Sequence, residues 1–421
     1  SPKVQYKRVT KNGAIVEDRE RTYLEISTEE EKLLNYAADN FENVIVLINS
    51  TNVMELGFVE TIDGIDACLV VATTGTAGAR AIPKLIYSDL TETDEDGNEV
   101  TVAYTPSGKF ADTYAYDLST SSTYVDTGSG NDSTHFYSNA MYGSGLYPTN
   151  VQHTNGSNNV RYEGVAYQDY REGVYMGYKW YETADKMGFW TSNTAKSLWN
   201  VNGYDEVVQY PFGFGLSYTT FSWEITQLLF PDNLKEVTPE DTVKVVVRVT
   251  NTGDIAGQDV VELYYEAPYT KGGIEKSSVN LAAFGKTQQV LQPGDYEDVV
   301  LEFAIQDMAS YDYEAKKVNG GGYVLEDGNY NITLRTDAHT LAGKKLIAGR
   351  VHSSDTITLK ISGDVLVMEE AENRFTGNNT TDGVAIDGNS DGSANITYLS
   401  RENFEGTFPS ELGDNRAMTD A

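Results

Sequence analysis

The sequence predicts an α/β plus all-β fold, in which a partial α/β sandwich built from parallel βαβ units is followed by an antiparallel β-sandwich. Two observations support this prediction. Residues 27–90 alternate helical apolar periods with continuous apolar runs, and from about residue 220 the apolar period changes to two. The 421 residues suit two or three domains and are enough to bury a core without disulfides or metals.

The first predicted helix begins at Ser27. Ser27 and Glu30 have the spacing of a capping box, in which each side chain accepts a hydrogen bond from the other residue's backbone amide. The apolar run 44–48 that follows does not alternate with polar residues, which predicts a parallel strand covered on both faces. The helix between them should bury one apolar face, formed by Leu33, Leu34, Ala37, Ala38 and Phe41.

A second apolar run, residues 67–72, leads into the glycine-rich segment 73–79 and then a short helical pattern through Ile82 and Leu85. Such a turn can bind an anion at a helix N-terminus. The spacing is not GxGxxG and no P-loop lysine follows, so a tight turn at the carboxyl edge of the sheet is favoured over a nucleotide site. Cys68, the single cysteine, excludes a disulfide framework and a cysteine-based zinc site, and is expected to be a small buried hydrophobe.

Two acidic segments imitate calcium loops. If residues 94–99 were part of a calcium-binding loop, the glutamate that binds the ion with both oxygens would have to be at position 103, which is Ala103. A hairpin turn at Asp96 and Gly97 is therefore favoured. For a loop that contains residues 387–392, the same glutamate position is occupied by Tyr398, so a flexible linker is favoured. We therefore predict no metal site and no cofactor.

Residues 91–209 read as loop-rich, and the serine, threonine, glycine and asparagine content of 119–160 indicates a long surface excursion. The stretch that follows is aromatic. Flat rings beside charged residues can stack on sugar faces, but they also build cores, and packing is favoured for each ring taken singly. The aromatic residues are Tyr167, Tyr170, Tyr175, Tyr178, Trp180, Tyr181, Phe189, Trp190 and Trp199.

The carboxyl-terminal strands alternate apolar and polar residues. Val243, Val245, Val247 and Val249 define a half-buried strand, and further short strands follow with turn signals at 293–294 and 327–328. Strands at this spacing without helices between them indicate an immunoglobulin or fibronectin type III β-sandwich. Residues 356–361 are expected to supply its last strand, and order is expected to end near residue 366.

The charge of the chain narrows the classes of partner. Lys and Arg number 31 and Asp and Glu 63, giving a net charge of 31 − 63 = −32. Because this field repels phosphate backbones and anionic lipids, we expect no nucleic-acid partner and favour a neutral substrate. No apolar stretch approaches 18 residues, so no membrane insertion is predicted in this segment. The start lacks an initiator Met, which suggests a truncated beginning and leaves the compartment open.

Several segments together resemble the carboxyl-terminal half of glycoside hydrolase family 3, the class of β-glucosidases and β-xylosidases. The most specific is 210–221 (YPFGFGLSYTTF), which is similar to the family signature at the junction of its α/β-sandwich and fibronectin type III-like domains. The resemblance covers about residues 20–345. Supporting segments are 106–109 (PSGK), 170–181 (YREGVYMGYKWY), 249–257 (VTNTGDIAG) and 273–276 (GIEK).

The resemblance implies a retaining hydrolysis that needs two carboxyl groups about 5 Å apart. The family places its aspartate nucleophile on a (β/α)8 barrel, which this chain does not encode, and its acid/base residue in an early loop of the α/β sandwich. Near that loop the chain has Ala14 at the expected glutamate. Glu17 or Asp18 could substitute, but a solvated turn carboxylate is favoured for both. We therefore assign no catalytic residue within the chain.

The segment 396–409 (ITYLSRENFEGTFP) resembles a linker of the family subset whose domain order is reversed, so that the barrel follows the fibronectin type III-like domain. The chain is then expected to be a middle piece. We predict a partial α/β-sandwich domain at 1–218, a fibronectin type III-like β-sandwich at 219–365, and a linker or tail at 366–421.

The leading hypothesis is the non-barrel portion of a family 3 β-glycosidase, which shapes or supports the sugar site and is inactive alone. Its expected partners are a neutral oligosaccharide or β-glucoside and a barrel domain in cis or trans. An open sheet edge could also support a homodimer. The alternatives are a non-catalytic carbohydrate-binding or adhesion module, and a scaffold that only docks against the barrel.

Overall fold

The computed structural model describes residues 5–11, 14–21, 24–93, 96–123, 145–146, 151–155, 158–162, 166–167, 171–229, 237–319, 321–342, 356–369 and 397–408. It contains a mixed α/β unit followed by an antiparallel β-sandwich, which confirms the predicted fold class. Within these residues, no helix is long and apolar enough to cross a membrane.

The amino-terminal unit contains short helices and two-stranded sheets. Its one parallel pair among the described residues is β3 with β4, and the remaining strand pairs are antiparallel. In chain order the elements are β1 (Gln5–Lys11), β2 (Ala14–Arg21), α1 (Thr28–Asn40), β3 (Ile45–Ile48), α2 (Phe58–Thr61), β4 (Ala67–Val70), α3 (Gly75–Gly78), α4 (Ala81–Tyr87), β5 (Asp89–Thr93), β6 (Glu99–Ala103), β7 (Tyr114–Ala115), β8 (Gly145–Leu146), β9 (Val151–Asn155), β10 (Asn158–Tyr162), β11 (Ala166–Tyr167), α5 (Tyr178–Lys186), α6 (Asn193–Trp199) and β12 (Val208–Tyr210).

Helix α1 begins as the sequence predicts. Ser27 Oγ accepts from the Glu30 amide at 3.2 Å, and Glu30 Oε2 accepts from the Ser27 amide at 2.7 Å. The predicted apolar face is only partly used. Leu34 packs against the core, whereas Leu33 and Phe41 are exposed.

The prediction that the run 44–48 is covered on both faces is wrong in the described structure. Val46 and Ile48 are buried, but Ile45 and Leu47 are 39% and 42% exposed. The parallel pair has a packed layer on one face only, where Leu56 and Tyr114 complete the core, so its outer face stays open. Cys68 is only partly buried.

The β-sandwich packs sheet β13-β14-β17 against sheet β16-β15-β20-β21, and a third sheet, β18-β19-β22, lies beside them. Its core is dominated by inward aliphatic residues, including Val243, Val245, Val247 and Val249 as predicted. The strands are β13 (Phe221–Leu229), β14 (Thr242–Asn251), β15 (Val260–Glu266), β16 (Asn280–Lys286), β17 (Tyr296–Ala304), β18 (Ser310–Tyr311), β19 (Gly322–Leu325), β20 (Gly328–Arg335), β21 (Thr356–Ile361) and β22 (Val365–Glu369).

The carboxyl-terminal segment is more ordered than the sequence predicts. Residues 397–408, which include the short helix α7 (Phe404–Thr407), return to the amino-terminal unit and pack against its aromatic layer. Phe404 and Phe408 are buried there, in contact with Trp180 and Phe189. The domain boundaries at 218 and 365 stay a prediction.

Candidate functional site

The signature segment 210–221 forms a junction between the two units, in which Gly213 and Thr219 are buried. On the amino-terminal side it pairs with the chain that follows 106–109, because the Gly213 amide donates to the Phe110 carbonyl and the Phe110 amide to the Phe214 carbonyl, both at 2.8 Å. A Cβ atom at Gly215 would overlap the carbonyl oxygen of Gly108. The structure therefore brings two of the sequence-predicted segments into direct contact.

The other end of the signature is fixed to the sandwich by Asn251, which is fully buried. The Thr219 hydroxyl donates to Asn251 Oδ1 at 2.8 Å, and Asn251 Nδ2 donates to the carbonyl oxygens of Ile255 and Leu291, also at 2.8 Å. Because all these groups are paired, their burial is not penalised. The segment 249–257 therefore binds the carboxyl-terminal end of the signature segment.

A buried carboxylate lies under the middle of the junction. Glu262, on β15, is 4% exposed and accepts a hydrogen bond from the Tyr264 hydroxyl at 2.6 Å. Burial raises the pKa of Glu262 to about 7. Nearby, Lys109 Nζ lies 3.9 Å from Asp259 Oδ1, and Trp223 Nε1 donates to Asp259 Oδ2 at 2.8 Å. Burial also raises the pKa of Asp259.

A second buried cluster joins the predicted segments 170–181 and 273–276 to the tail. The Glu275 carboxylate accepts from the Tyr175 hydroxyl, from the Ser400 hydroxyl at 2.6 Å and from the Arg401 amide at 3.0 Å. Next to it, Lys276 Nζ pairs with Glu326, and burial lowers the pKa of Lys276 to about 8. Both clusters have the character of structural networks, because every carboxylate in them is engaged by neighbouring donors.

The aromatic residues of this region form a core. Tyr175, Trp180, Tyr181, Phe189 and Trp190 are each at most 2% exposed. The last four rings pack edge to face or stacked on one another, and the Tyr175 ring packs edge to face on Phe404. The packing interpretation is therefore confirmed for these five, and a role in stacking on a sugar is wrong for them, because a fully buried ring offers no face to a ligand. Tyr167 and Tyr170 lie outside the described side chains.

The two residues considered for catalysis lie within a strand. Glu17 and Asp18 lie in strand β2, opposite Arg8 and Lys7 of β1, and not in the solvated turn that the sequence predicts. Within the described residues, a cavity of about 790 Å³ runs along β4, and Asp66 is the only acidic residue in its lining. Asp66 accepts from the Val44 amide at 2.7 Å, so this cavity holds no acid pair of the kind glycoside hydrolysis needs.

Other sequence-predicted sites resolve as turns. Strands β5 and β6 pair antiparallel on either side of 94–98, and Gly97 has a φ of +85°, which confirms the hairpin. The glycine-rich segment 73–79 contains only the four-residue helix α3. Among the described residues, no group of three or more His, Cys, Asp or Glu could hold a metal ion. The segment 387–392 lies outside them.

Sequence reasoning missed Glu262. The signal for Glu262 is that it is the one acidic residue in the otherwise apolar strand segment 260–265. Because apolar residues occupy both alternating positions of this segment, the pattern does not show whether Glu262 faces the core. Asn251 is part of the resembling segment 249–257, but the sequence does not single out its side chain, which organises the junction.

Comparison with known proteins agrees with this architecture. Residues 259–338 match the family described as fibronectin type III-like domain, so the chain contains such a domain. The "Beta-glucosidase A" of Butyrivibrio fibrisolvens is 28% identical over 79% of this chain, and a "Beta-glucosidase" of Ruminococcus albus is 25% identical over 74%. This chain spans 32% and 24% of the length of these two relatives.

Solved structures give the same result. A β-glucosidase from Paenibacillus barengoltzii is 25% identical and has a TM-score of 0.56. The match covers 82% of this chain and 29% of the Paenibacillus chain. β-Glucosidase 3B from Thermotoga neapolitana, solved with α-D-glucose, shares the fold at 24% identity and a TM-score of 0.51, over 86% of this chain and 36% of its own. The resemblance to glycoside hydrolase family 3 is thereby confirmed for most of the chain.

Proposed function

We propose that this chain is the non-barrel portion of a family 3 β-glycosidase, and that it supports the site where a neutral β-glucoside is hydrolysed with retention. The proposal rests chiefly on the signature segment 210–221, which forms the junction of an α/β unit and a fibronectin type III-like domain. The relatives that match more than 70% of the chain in sequence are named as β-glucosidases. The nucleophile then lies on a barrel outside these 421 residues.

The surface of the amino-terminal unit supports a docking role. Leu33, Tyr36 and Phe41 on or beside α1 and Ile45 and Leu47 on β3 are exposed apolar side chains. A parallel sheet is normally covered on both faces, so an open apolar face calls for a further layer. A barrel domain, in cis or trans, would provide it. The buried aromatic layer gives the carbohydrate-binding alternative no support.

Hydrolysis of an aryl β-glucoside tests the proposal. The 421-residue polypeptide alone is expected to show no turnover, and the longer gene product that includes the barrel is expected to release the aryl group. An acidic residue of the barrel changed to its amide serves as the control for the longer product. Turnover by the isolated chain would contradict the proposal, as would a longer product in which no barrel carboxylate is needed.

A further inference from the structure

The α/β unit and the β-sandwich meet at a histidine that shares one carboxylate with a tyrosine. Glu182, on α5, is 5% exposed and accepts from the Tyr204 hydroxyl through Oε1. Its Oε2 lies 2.9 Å from Nδ1 of His339, which follows strand β20 of the sandwich. The rings of Tyr204 and His339 stack, with centroids 3.8 Å apart and planes 9° from parallel.

The turn that carries His339 is held in shape from both units. Asp337 Oδ1 accepts from the amides of His339 at 2.9 Å and Thr340 at 2.7 Å. The Ala338 amide donates across the interface to the Phe212 carbonyl at 2.8 Å. The His339 side chain is 35% exposed, so it exchanges protons with solvent although its carboxylate partner is buried.

We propose that a proton on His339 latches the turn 336–340 onto helix α5, so that the two units are coupled more firmly in mildly acidic than in alkaline solution. Protonation turns the His339–Glu182 contact into a charge-assisted hydrogen bond between a cation and a buried anion. A neutral imidazole with its proton on Nδ1 still donates, but without the charge. This inference is independent of the proposed catalytic context.

The surrounding charges favour the protonated form. Glu182 and Asp185 face His339 from α5, Asp337 from its own turn, and Tyr204 and Asp205 belong to the short helical turn packed against it. Arg335 is a cation on this side, as is Lys186 of α5, which pairs with Glu266. Arg335 Nη1 donates to the carbonyl oxygens of Ala338 and His339. The hydrogen bond to Glu182 is the largest influence on the pKa of His339, which is raised above 6.5 although partial burial opposes it.

The sign of the effect follows from this direction. Because the folded-state pKa of His339 is raised, its contribution to stability is complete below pH 6.5 and is lost as the pH rises through the folded-state pKa. The pKa of Tyr204 is raised well above 10, so the tyrosine does not titrate in this range. Glu262, whose pKa is about 7, titrates in the same range. The wild type and the variants used to test the latch must therefore all retain Glu262.

Nuclear magnetic resonance of the whole chain with labelled histidine tests the proton directly. The His339 signal, identified by its loss in His339→Gln, is expected to titrate with a midpoint above 6.5 in the wild type. The midpoint is expected to fall in Glu182→Gln. A wild-type midpoint at or below 6.5 would overturn the inference.

Amide exchange tests the latch. After correction for intrinsic exchange, protection of the Ala338 amide should fall several-fold in the wild type as the pH rises through the His339 midpoint. In His339→Gln the protection should be low and independent of pH in this range, whereas the control His153→Gln, which removes one of the other three histidines of the sequence, should follow the wild type. A His339→Gln profile parallel to that of the wild type would refute the latch.

Discussion

Gly213 lies directly against the carboxylate of Glu262, so that a Cβ atom at position 213 would overlap both carboxylate oxygens. Gly213 also has a φ of +85°, in the left-handed region that other residues adopt only at a cost. The signature segment therefore contains a glycine for two separate reasons, one in its own backbone and one in the neighbouring sandwich.

Gly213→Ala is expected to destabilise the chain by more than the backbone alone requires. Gly294 is the matched control, because its φ is +86° and no atom lies within 4 Å of the position its Cβ would take. Gly294→Ala should lower the free energy of unfolding by about 1 kcal/mol, the order of magnitude for a left-handed non-glycine residue. Urea unfolding of both variants gives the comparison, and equal losses would show that the contact with Glu262 is unimportant.

Glu262→Gln should change how stability depends on pH. Because burial raises the folded-state pKa of Glu262 from 4.5 to about 7, its contribution to stability is complete below pH 4.5 and is lost as the pH rises through 7. The glutamine variant is neutral throughout, so its stability relative to the wild type should improve over this interval by on the order of 3 kcal/mol.

Urea unfolding midpoints from about pH 4.5 to pH 8.5 measure this difference. The control Glu302→Gln removes a carboxylate whose side chain is 49% exposed on β17, and its curve should run parallel to that of the wild type. If the curve of Glu262→Gln also runs parallel to the wild type, the buried carboxyl does not titrate as described.

Glu275→Ala is expected to release the tail segment 397–408. The substitution leaves the Tyr175 hydroxyl, the Ser400 hydroxyl and the Arg401 amide without their shared acceptor. Unpaired buried donors each cost about 1–3 kcal/mol, so the segment should detach before the rest of the chain unfolds.

Trypsin provides the readout, because Arg401 is 4% exposed in the intact structure. Cleavage after Arg401 should be much faster in Glu275→Ala than in the wild type. The control Glu405→Ala removes an exposed carboxylate that, among the described residues, accepts a 3.2 Å hydrogen bond from Thr194, and it should cleave at nearly the wild-type rate. Equal cleavage in both variants would show that Glu275 does not hold the segment.

Features set by near neighbours in the sequence were predictable. The Ser27–Glu30 capping box, the hairpin at Gly97 and the inward valines of β14 all depend on spacings of two to four residues. Such spacings determine local geometry whatever the rest of the chain does, so the fold class could be predicted with the resemblance as independent support.

Features that depend on distant residues were not predictable. Burial of Phe404 needs the aromatic layer around Trp180, more than 200 positions earlier, and the sequence between them carries no signal of the contact. The Tyr204–His339 stack likewise joins two separate units. The exposure of Leu47 was mispredicted because an apolar run shows what a strand could bury, not whether a covering layer is present.

Leu47→Asp tests whether the open face of the parallel pair is an interaction surface. Leu47 is 42% exposed on β3, on the same strand face as Ile45, so the isolated chain should self-associate through this face. The charge should shift the chain toward monomer in sedimentation velocity with little change in unfolding midpoint, because position 47 already contacts water.

Leu366, 47% exposed on β22, supplies the control Leu366→Asp, which should associate as the wild type does. A monomeric wild type, or equal effects of the two substitutions, would argue against this face, whereas selective loss with Leu47→Asp would identify it as the self-association surface.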